Sequence, residues 1–438
     1  MKFIKYITAF TLIFGLSSCD DYLDIEPKDR VIPETLEDYK QLLITGYNNF
    51  PETKSKTELR TDLVGFDEYD FSAESYKDIY LWNDTNYDEN TSAFDYDLLY
   101  RVIFYTNEVI NTGGDKIEAS SEKDQLMAEA HALRAYAYFE LVNLFSDVYK
   151  EGSNQRGVPI ILDIDLESNF PPATLQEIYN QIHSDLDLAL KLVQIKEFGE
   201  NQTYHFSELA IKALQSRVNL YQGNYDKALE QLNAVLADKN TLLDLNNNPD
   251  SLLPNQVNSV EQVLVLDYAV HDKVNQVTYA NDFLMAKYDS TDLRKSLFYS
   301  LDDGRFEPVK GADKQTMSSI RTGELYLVKA ELLARTGKLA EARDALITLV
   351  KHRKTPEGAA NYATKIQNLN QSQLLDEVFE ERARELAFEG YRWFDLRRYN
   401  QKAITHQVAN QEVTLQANDP RYTIAFPRSA RLNNPLLD

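Results

Sequence analysis

Two parts of this chain share one helix–turn–helix pattern, and this repeat constrains the fold more than any other feature of the sequence. Apolar residues recur every three or four positions, which is the spacing of amphipathic helices. Gly223-Asn224 separates the first pair of stretches and Gly337-Lys338 separates the second, as expected of short turns. The four predicted helices cover 207–221, 225–237, 319–336 and 339–351.

The two predicted pairs also align with each other, RVNLYQGNYDKALEQL beside ELLARTGKLAEARDAL. Small residues stand where the helices must approach closely, at Ala213, Ala228, Ala330 and Ala342. The pattern resembles the tetratricopeptide unit of about 34 residues. Because the pairs are not contiguous, we expect a mainly α-helical scaffold of helix pairs with long loop-rich insertions, rather than a tandem array.

Further helical segments are predicted over 122–145 and within 377–400, where Gly390 permits a sharp exit from the helix, and short β-like runs occur at 263–266 and 423–426. Polar, Asn/Asp-rich segments separate the helical regions, and long loops of this kind often carry function. The predicted organisation is an N-terminal portion with an aromatic loop over 47–97, a helical scaffold over 98–237 and 316–400, a variable insertion over 240–315 and a tail over 401–438.

The amino terminus has the form of a secretory signal. Lys2 and Lys5 precede a short apolar run that closes on Leu16-Ser17-Ser18-Cys19. The run is too short for a membrane span, which needs about 20 apolar residues. It resembles the lipobox of bacterial lipoproteins, so we expect residues 1–18 to be a signal peptide and Cys19 to carry lipid, including palmitate. The acidic residues after Cys19 resemble the surface-export signal of Bacteroidetes lipoproteins.

Composition excludes some functions. The formal net charge is −23, so binding to the phosphate backbone of a nucleic acid is not expected. Cys19 is the only cysteine among the 438 residues, and the chain therefore forms no internal disulfide.

Four segments behind this lipobox resemble the SusD/RagB family of outer-membrane nutrient-uptake lipoproteins. They are the two helix pairs, AEAHALRAYAYFELVNLFSDV over 128–148 and EVFEERARELAFEGYRWFDLRRYN over 377–400. The resemblance extends to the C-terminus, so residues 19–438 are expected to form one SusD-like domain.

This resemblance implies a surface protein without catalytic activity. It would bind a nutrient oligomer, most often a glycan, and deliver it to a SusC-like TonB-dependent transporter in the outer membrane. Two alternatives remain open at this stage. One is a peptide ligand, as in RagB-type members, and the other is a surface glycoside hydrolase, whose carboxylate pair cannot be recognised from sequence spacing.

Sugar binding needs an aromatic surface for the apolar face of the ring, with polar groups beside it for the hydroxyls. The best local match is YKDIYLWNDTNYDEN over 76–90, in a segment predicted to be a polar loop. The candidate ligand-binding residues here are Tyr76, Tyr80, Trp82, Asn83, Asp84 and Tyr87. Replacing Trp82 by alanine is expected to weaken binding while leaving the melting temperature unchanged.

A second aromatic cluster in the later insertion is predicted to form an opposite wall of the site. Its candidate ligand-binding residues are Tyr288 and Tyr299, and its other members are Tyr279, Phe283, Phe298 and Arg305. No cofactor or metal is expected. The alternating oxygen ligands of Asp84, Asn86, Asp88 and Asn90 match a calcium loop only weakly, because Glu89 replaces the usual glycine.

The carboxylate-rich segment 377–400 suggests an active site at first sight. Glu380–Arg384, Glu381–Arg384 and Arg382–Glu385 have the spacing of helical ion pairs, however, and paired charges usually serve structure. We therefore predict a structural helix, with Trp393 in the core. The six histidines have no metal-ligand spacing, and no nucleophile motif is present.

Overall fold

Paired helices carry most of the chain, as the apolar spacing predicts. The computed structural model describes residues 33–84, 91–152, 154–163, 168–199, 201–267, 272–311 and 319–437. In chain order the described helices are α1 (Leu36–Asn48), α2 (Thr53–Glu58), α3 (Ala73–Tyr80), α4 (Tyr96–Glu108, continued by a π-helical turn Val109–Gly113 and a further turn Gly114–Lys116), α5 (Ser121–Phe145), α6 (Leu175–Leu192), α7 (Glu208–Gln222), α8 (Tyr225–Asp238), α9 (Asp272–Val277), α10 (Asp282–Met285), α11 (Arg294–Phe298), α12 (Thr322–Arg335), α13 (Leu339–Val350), α14 (Pro356–Ile366), α15 (Gln371–Leu386), α16 (Arg392–Tyr399) and α17 (Arg428–Asn433). The strands are β1 (Val64–Phe66), β2 (Gln262–Leu264), β3 (Thr278–Ala280), β4 (Tyr299–Asp302), β5 (Arg305–Pro308), β6 (Ile320–Arg321), β7 (Ile404–Val408) and β8 (Gln411–Leu415).

The repeated helix pairs are confirmed as α7–α8 and α12–α13. Gly223 and Gly337 end the first helix of each pair with φ angles of 82° and 79°, a left-handed conformation that costs glycine little. The hydroxyl of Ser207 caps α7 by accepting a hydrogen bond from the Ala210 amide at 3.2 Å. Helix α8 packs against α12, so the two pairs adjoin in space although the 240–315 insertion separates them in sequence.

Helix α5 lies at the centre of the N-terminal half and confirms the prediction over 122–145. Every residue from Gln125 to Val142 is buried, because α4, α6 and α7 all pack against this helix. The buried polar side chains have partners. Arg134 holds Asp185 of α6 through hydrogen bonds of 2.9 and 2.6 Å, and His131 contacts the same carboxylate at 2.7 Å.

A small antiparallel sheet joins two distant parts of the chain. Its strand order is β1-β3-β5-β4, and Gly65 lies opposite Tyr279 while Ala280 lies opposite Phe306. Strand β1 belongs to the 47–97 segment, which we call the first insertion, and the other three strands belong to the 240–315 segment, the second insertion. The sheet therefore holds the two insertions together beside the scaffold.

Two β predictions have different outcomes. Strand β2 overlaps the predicted run 263–266 at residues 263–264 and pairs with β6. The prediction of a strand at 423–426 is wrong, since the Ile424 amide donates to the carbonyl of Leu144 at 3.1 Å and no partner strand is present among the described residues. The β7–β8 hairpin was not expected from the sequence.

A buried ion-pair network binds α15 to the scaffold. The carboxylate of Glu385 contacts Arg321 at 2.7 Å, Arg353 at 2.9 Å and Arg294 at 3.0 Å, and all of these side chains are fully buried. Glu261, which precedes β2, contacts Arg321 at 3.0 Å and Arg353 at 2.6 Å. The network thus joins five separate parts of the chain.

Helix α15, which carries the predicted ion pairs, is structural as expected, but most of the ion-pair partners lie on other elements of the fold. Glu381–Arg384 is confirmed at 2.6 Å. Glu380 pairs with Lys287 instead, and Arg382 pairs with Asp395. Long-range partners replace the local ones because this helix is packed on several sides, so its charged groups meet neighbouring elements.

Electrostatics makes the role of Glu385 clear. Burial alone would raise the pKa of Glu385, but the guanidinium groups of Arg353, Arg321 and Arg294 outweigh burial and hold that pKa well below its usual range. The carboxylate is therefore charged in the folded protein. Together with Glu261 and Asp292, it compensates the buried charges of these three arginines.

Glu58 in α2 provides a first testable prediction, on pH. Burial raises the pKa of Glu58 to about 7 from an ordinary 4.5. The stability that this group contributes is therefore fully present below pH 4.5 and is lost as the pH rises through 7, up to about 3 kcal/mol. Glu58→Gln should flatten this loss when urea midpoints are compared between pH 5 and 9. The exposed Glu37→Gln should not, and equal pH profiles for wild type and Glu58→Gln would contradict the assignment.

Candidate functional site

The residues of the first predicted aromatic cluster pack inward rather than outward. The segment predicted as a polar loop contains helix α3, whose apolar side buries Tyr76 and Tyr80. Trp82 follows the helix and is 1% exposed. Its indole N–H donates to the carbonyl of Arg60 at 3.1 Å. Helix formation turns Tyr76 and Tyr80 toward the core, and Trp82 is buried just after the helix. Contact of these three residues with a ligand stays a prediction.

Four buried rings form a continuous stack through this region. Phe66 lies on Tyr80 with centroids 4.8 Å apart, Tyr80 on His406 at 3.9 Å, and His406 on Trp82 at 4.1 Å. Burial lowers the pKa of His406 to about 4, although contacts with the carbonyls of Tyr80 and Thr61 oppose this. The imidazole is therefore uncharged at neutral pH and behaves as a packing group.

Asn83 and Asp84 lie at the rim of a cleft of about 500 Å³. Asn83 donates to Asp78 at 2.9 Å, and Asp84 forms a buried ion pair with Arg60 at 2.6 Å. Their contact with a ligand stays a prediction. Tyr87, Asn86, Asp88 and Asn90 lie outside the described residues, as does Cys19.

The second predicted cluster divides into buried and exposed members. Tyr288 and Tyr299 are buried, their hydroxyls are 3.1 Å apart, and Tyr288 also donates to the carbonyl of Arg384 at 2.7 Å. These two rings anchor the insertion against α15, which corrects their predicted place on a binding wall. Tyr279 and Arg305, by contrast, are partly exposed at the sheet.

An exposed aromatic pair stands beside that sheet. Tyr69 and Phe71 are 85% and 101% exposed, on the loop between β1 and α3. Two aspartate-initiated turns shape the loop, since Asp67 accepts from the Tyr69 amide at 3.1 Å and Asp70 accepts from the Ser72 amide at 2.7 Å. The two rings are thus presented to solvent by an ordered backbone.

One face of the sheet continues this surface. Residues that lie opposite each other in an antiparallel sheet share a face, so Gly65 and Tyr279 lie on the same side. The Tyr279 ring covers Gly65 so closely that a Cβ there would come within 2.2 Å of it. The guanidinium of Arg305 lies over that ring, 4.9 Å from its centroid. We call Tyr69, Phe71, Tyr279 and Arg305 the aromatic platform.

Asp67 ties the two halves of the platform together. Its second carboxylate oxygen contacts Arg305 at 2.8 Å, while its first holds the Tyr69 amide. Its own amide donates to the carbonyl of Val277 at 2.8 Å. An aromatic surface with hydrogen-bonding groups at its edge suits a polyhydroxylated ligand, because ring faces cover C–H groups and the polar groups meet hydroxyls.

Comparison with known proteins assigns the chain to a family. The family described as "SusD-like_3: Starch-binding associating with outer membrane" matches residues 21–220, and the SusD family matches residues 303–433. The chain belongs to the SusD family. The resemblance seen in the four sequence segments is therefore confirmed.

Relatives of this SusD-family chain are distant in sequence and similar in length. SusD-like protein P38 of Formosa agariphila is 23% identical over 492 aligned positions, covering 92% of this chain and 93% of that protein. A SusD superfamily protein of Bacteroides thetaiotaomicron has a TM-score of 0.77 at 21% identity and covers 92% of this chain and 98% of its own. A laminarin-binding SusD-like protein has a TM-score of 0.62 at 20% identity, covering 82% and 90%. The structural matches support the predicted fold.

Neither a metal cluster nor a membrane-spanning helix occurs among the described residues of this SusD-family chain. Among the residues described, no cluster of three or more His, Cys, Asp or Glu has the geometry of a metal site. Within the same ranges, no helix combines the length and apolar character that crossing a bilayer requires.

The sequence indicated the region of the platform but not its principal rings. Tyr69 and Phe71 fall inside the predicted aromatic loop 47–97, yet the density of aromatic residues drew attention to 76–90. A usable signal was present in DEYDFS over 67–72, where each aspartate precedes a turn and each aromatic residue stands between polar neighbours.

Proposed function

We propose that this protein binds a glycan at the cell surface, without cleaving it, and passes it to a partner TonB-dependent transporter of the outer membrane. The observation that carries the proposal is the exposed, ordered aromatic pair Tyr69 and Phe71 beside Arg305 and Asp67. The family description supports association with starch and the outer membrane, and one structural relative binds laminarin.

The chemistry of the platform fits recognition rather than catalysis. A sugar ring stacked on Tyr69 or Phe71 exchanges water contacts for apolar contacts on its C–H face, while Asp67 accepts and Arg305 donates hydrogen bonds to hydroxyls. The same surface contacts can form again at successive sugar units of a polymer. Incubation of the protein with purified glycans is expected to release no shorter products.

Attachment to the membrane is proposed through Cys19. The n-region, the apolar run and the small residues before Cys19 support cleavage and lipidation at this position. Anchoring by two or more acyl chains is stable, whereas one chain binds only marginally. Palmitate labelling that is lost in Cys19→Ala, and co-purification of a TonB-dependent barrel from outer membranes, test this part.

The binding site is tested by the double variant Tyr69→Ala/Phe71→Ala. We expect at least about a tenfold loss of affinity, equal to about 1.4 kcal/mol, because the variant removes both exposed rings and leaves the sheet in place. The measurement is calorimetric titration with the tightest-binding member of a glycan panel.

The matched control is Leu432→Ala on α17, which also removes an exposed apolar side chain. It should leave both affinity and melting temperature unchanged. Undiminished affinity in the double variant would remove the platform from the site.

A further inference from the structure

The surroundings of the aromatic platform are strongly acidic. Residues 67–72 and 302–307 contain six carboxylates and one guanidinium, that of Arg305. The carboxylates are contributed by Asp67, Glu68, Asp70, Asp302, Asp303 and Glu307. The two segments meet through the Asp67–Arg305 ion pair of 2.8 Å, so their charges act on the same surface.

The sheet register places Asp302 and Glu307 on the face that bears Tyr279. Asp302 lies opposite Arg305, and opposite residues share a face. Side chains alternate along a strand, so Glu307 lies on this face as well and Phe306 lies on the other. Lys295, the nearby lysine, approaches the ring of Phe306 at 5.6 Å and therefore serves the opposite face.

Carboxylates of this surface lie close enough to one another to shift a pKa. Burial raises the pKa of Glu307, and Asp302 and Asp67 raise it further against the opposing effect of Arg305. A hydrogen bond to Glu68 raises the pKa of Tyr69. Within residues 67–72 and 302–307, the six carboxylates thus outnumber the single guanidinium.

The charge of Arg305 is already paired within the protein. Its guanidinium is held by Asp67 on one side and covers the Tyr279 ring on the other. A sulfate or uronate bound through Arg305 would have to share the guanidinium with the Asp67 carboxylate, and it would meet repulsion from Asp302, which lies opposite Arg305 in the sheet. Hydroxyl groups meet no such repulsion, since they donate hydrogen bonds to carboxylates.

We infer that the aromatic platform takes an uncharged glycan and excludes polyanionic glycans that carry sulfate or uronate groups. This inference rests on the proposed function, because it specifies the charge of the glycan that the platform binds. Acidic residues near the rings act as a filter, whereas the rings themselves provide affinity.

The test compares two classes of polysaccharide on the full chain. The uncharged probes are starch, laminarin and xyloglucan, and the polyanionic probes are alginate, polygalacturonate and dextran sulfate, all at 150 mM salt. We expect binding to at least one uncharged probe, lost in Tyr69→Ala/Phe71→Ala, and no binding to the polyanions.

A charge-neutral variant makes the test sharper. Glu68→Gln/Asp302→Asn/Asp303→Asn keeps the oxygen acceptors and removes three charges near the platform. At the same 150 mM salt it should gain measurable polyanion binding, while affinity for the uncharged probe stays within about threefold of wild type. The control Asp226→Asn/Glu230→Gln/Glu341→Gln removes three exposed charges on the scaffold and should gain nothing.

The outcomes separate the two proposals. Wild-type binding to a polyanion, as tight as to any uncharged probe and lost in the double aromatic variant, would overturn the inference and leave the proposed function standing. Absence of binding to every glycan, or binding that the double aromatic variant retains in full, would overturn the proposed function and the inference with it. Equal behaviour of the two charge variants would overturn the inference alone.

Discussion

Glu385→Ala is expected to destabilise the fold by about 3–5 kcal/mol, the cost of removing one partner from a buried ion pair. The substitution would leave Arg294, Arg321 and Arg353 buried around an empty position, each having lost a contact of 3.0 Å or less. Each arginine keeps another carboxylate partner, Asp292 for Arg294 and Glu261 for Arg321 and Arg353. The size of the effect therefore comes from the loss of one buried negative charge from a network whose cations are then only partly compensated. Urea or thermal midpoints measured by circular dichroism report it.

Glu380→Ala is the matched control, because it lies on the same helix and also removes a carboxylate. Glu380 pairs with Lys287 but its side chain is 42% exposed, so solvent screens the pair and the loss should be below about 1 kcal/mol. Similar midpoint shifts for Glu385→Ala and Glu380→Ala would show that the buried network contributes no more to stability than a partly exposed ion pair does. Glu385→Gln should fall between the two.

Trp82→Ala and Trp393→Ala are both expected to destabilise the protein by about 3–5 kcal/mol, the range for large aromatic truncations in a core. Trp82 stacks on His406 and bonds to Arg60, while Trp393 stacks on Tyr422 with centroids 5.0 Å apart. The prediction for Trp82 thus reverses the one drawn from its sequence context. Trp393 keeps its predicted place in the core.

The control for this comparison is Tyr69→Ala. Because this side chain is exposed, its removal should change the free energy of unfolding by no more than about 0.5 kcal/mol. The tryptophan variants are measured by unfolding and by glycan titration under conditions where they remain folded. A Trp82→Ala protein with an unchanged midpoint and a tenfold weaker affinity would restore Trp82 as a ligand-binding residue.

Much of the scaffold could be predicted from sequence because its helices are long and periodic. The apolar spacing of α8 and α13 matches the single face that each helix buries. Helix α5 is buried on all sides, so its spacing indicates a helix but not a face. Short strands carry no such signal. Strand β1 has three residues and pairs with β3 more than two hundred positions away, so local patterns give no indication of the sheet.

The site was predicted less well for a related reason. The density of aromatic residues does not show whether a ring is buried or exposed, or whether the segment is a loop or a helix. Tyr76 and Tyr80 are buried because they lie on the inner side of α3, and Trp82 is buried just after that helix. Tyr69 and Phe71 are exposed because the turns at Asp67 and Asp70 hold the backbone away from the scaffold. Such turns depend on short-range polar contacts, whereas burial depends on distant partners that the local sequence does not specify.

The pairing of β1 with β3 has a consequence for how this protein can diverge. Gly65 accommodates the ring of Tyr279, and Asp67 holds Arg305, so each insertion contains a residue that requires its counterpart in the other. Transplanting the 240–315 insertion from a relative without the matching loop after β1 would break these pairs. The two insertions are therefore expected to be inherited together. A change of ligand specificity would then alter both insertions and leave the supporting helices the same.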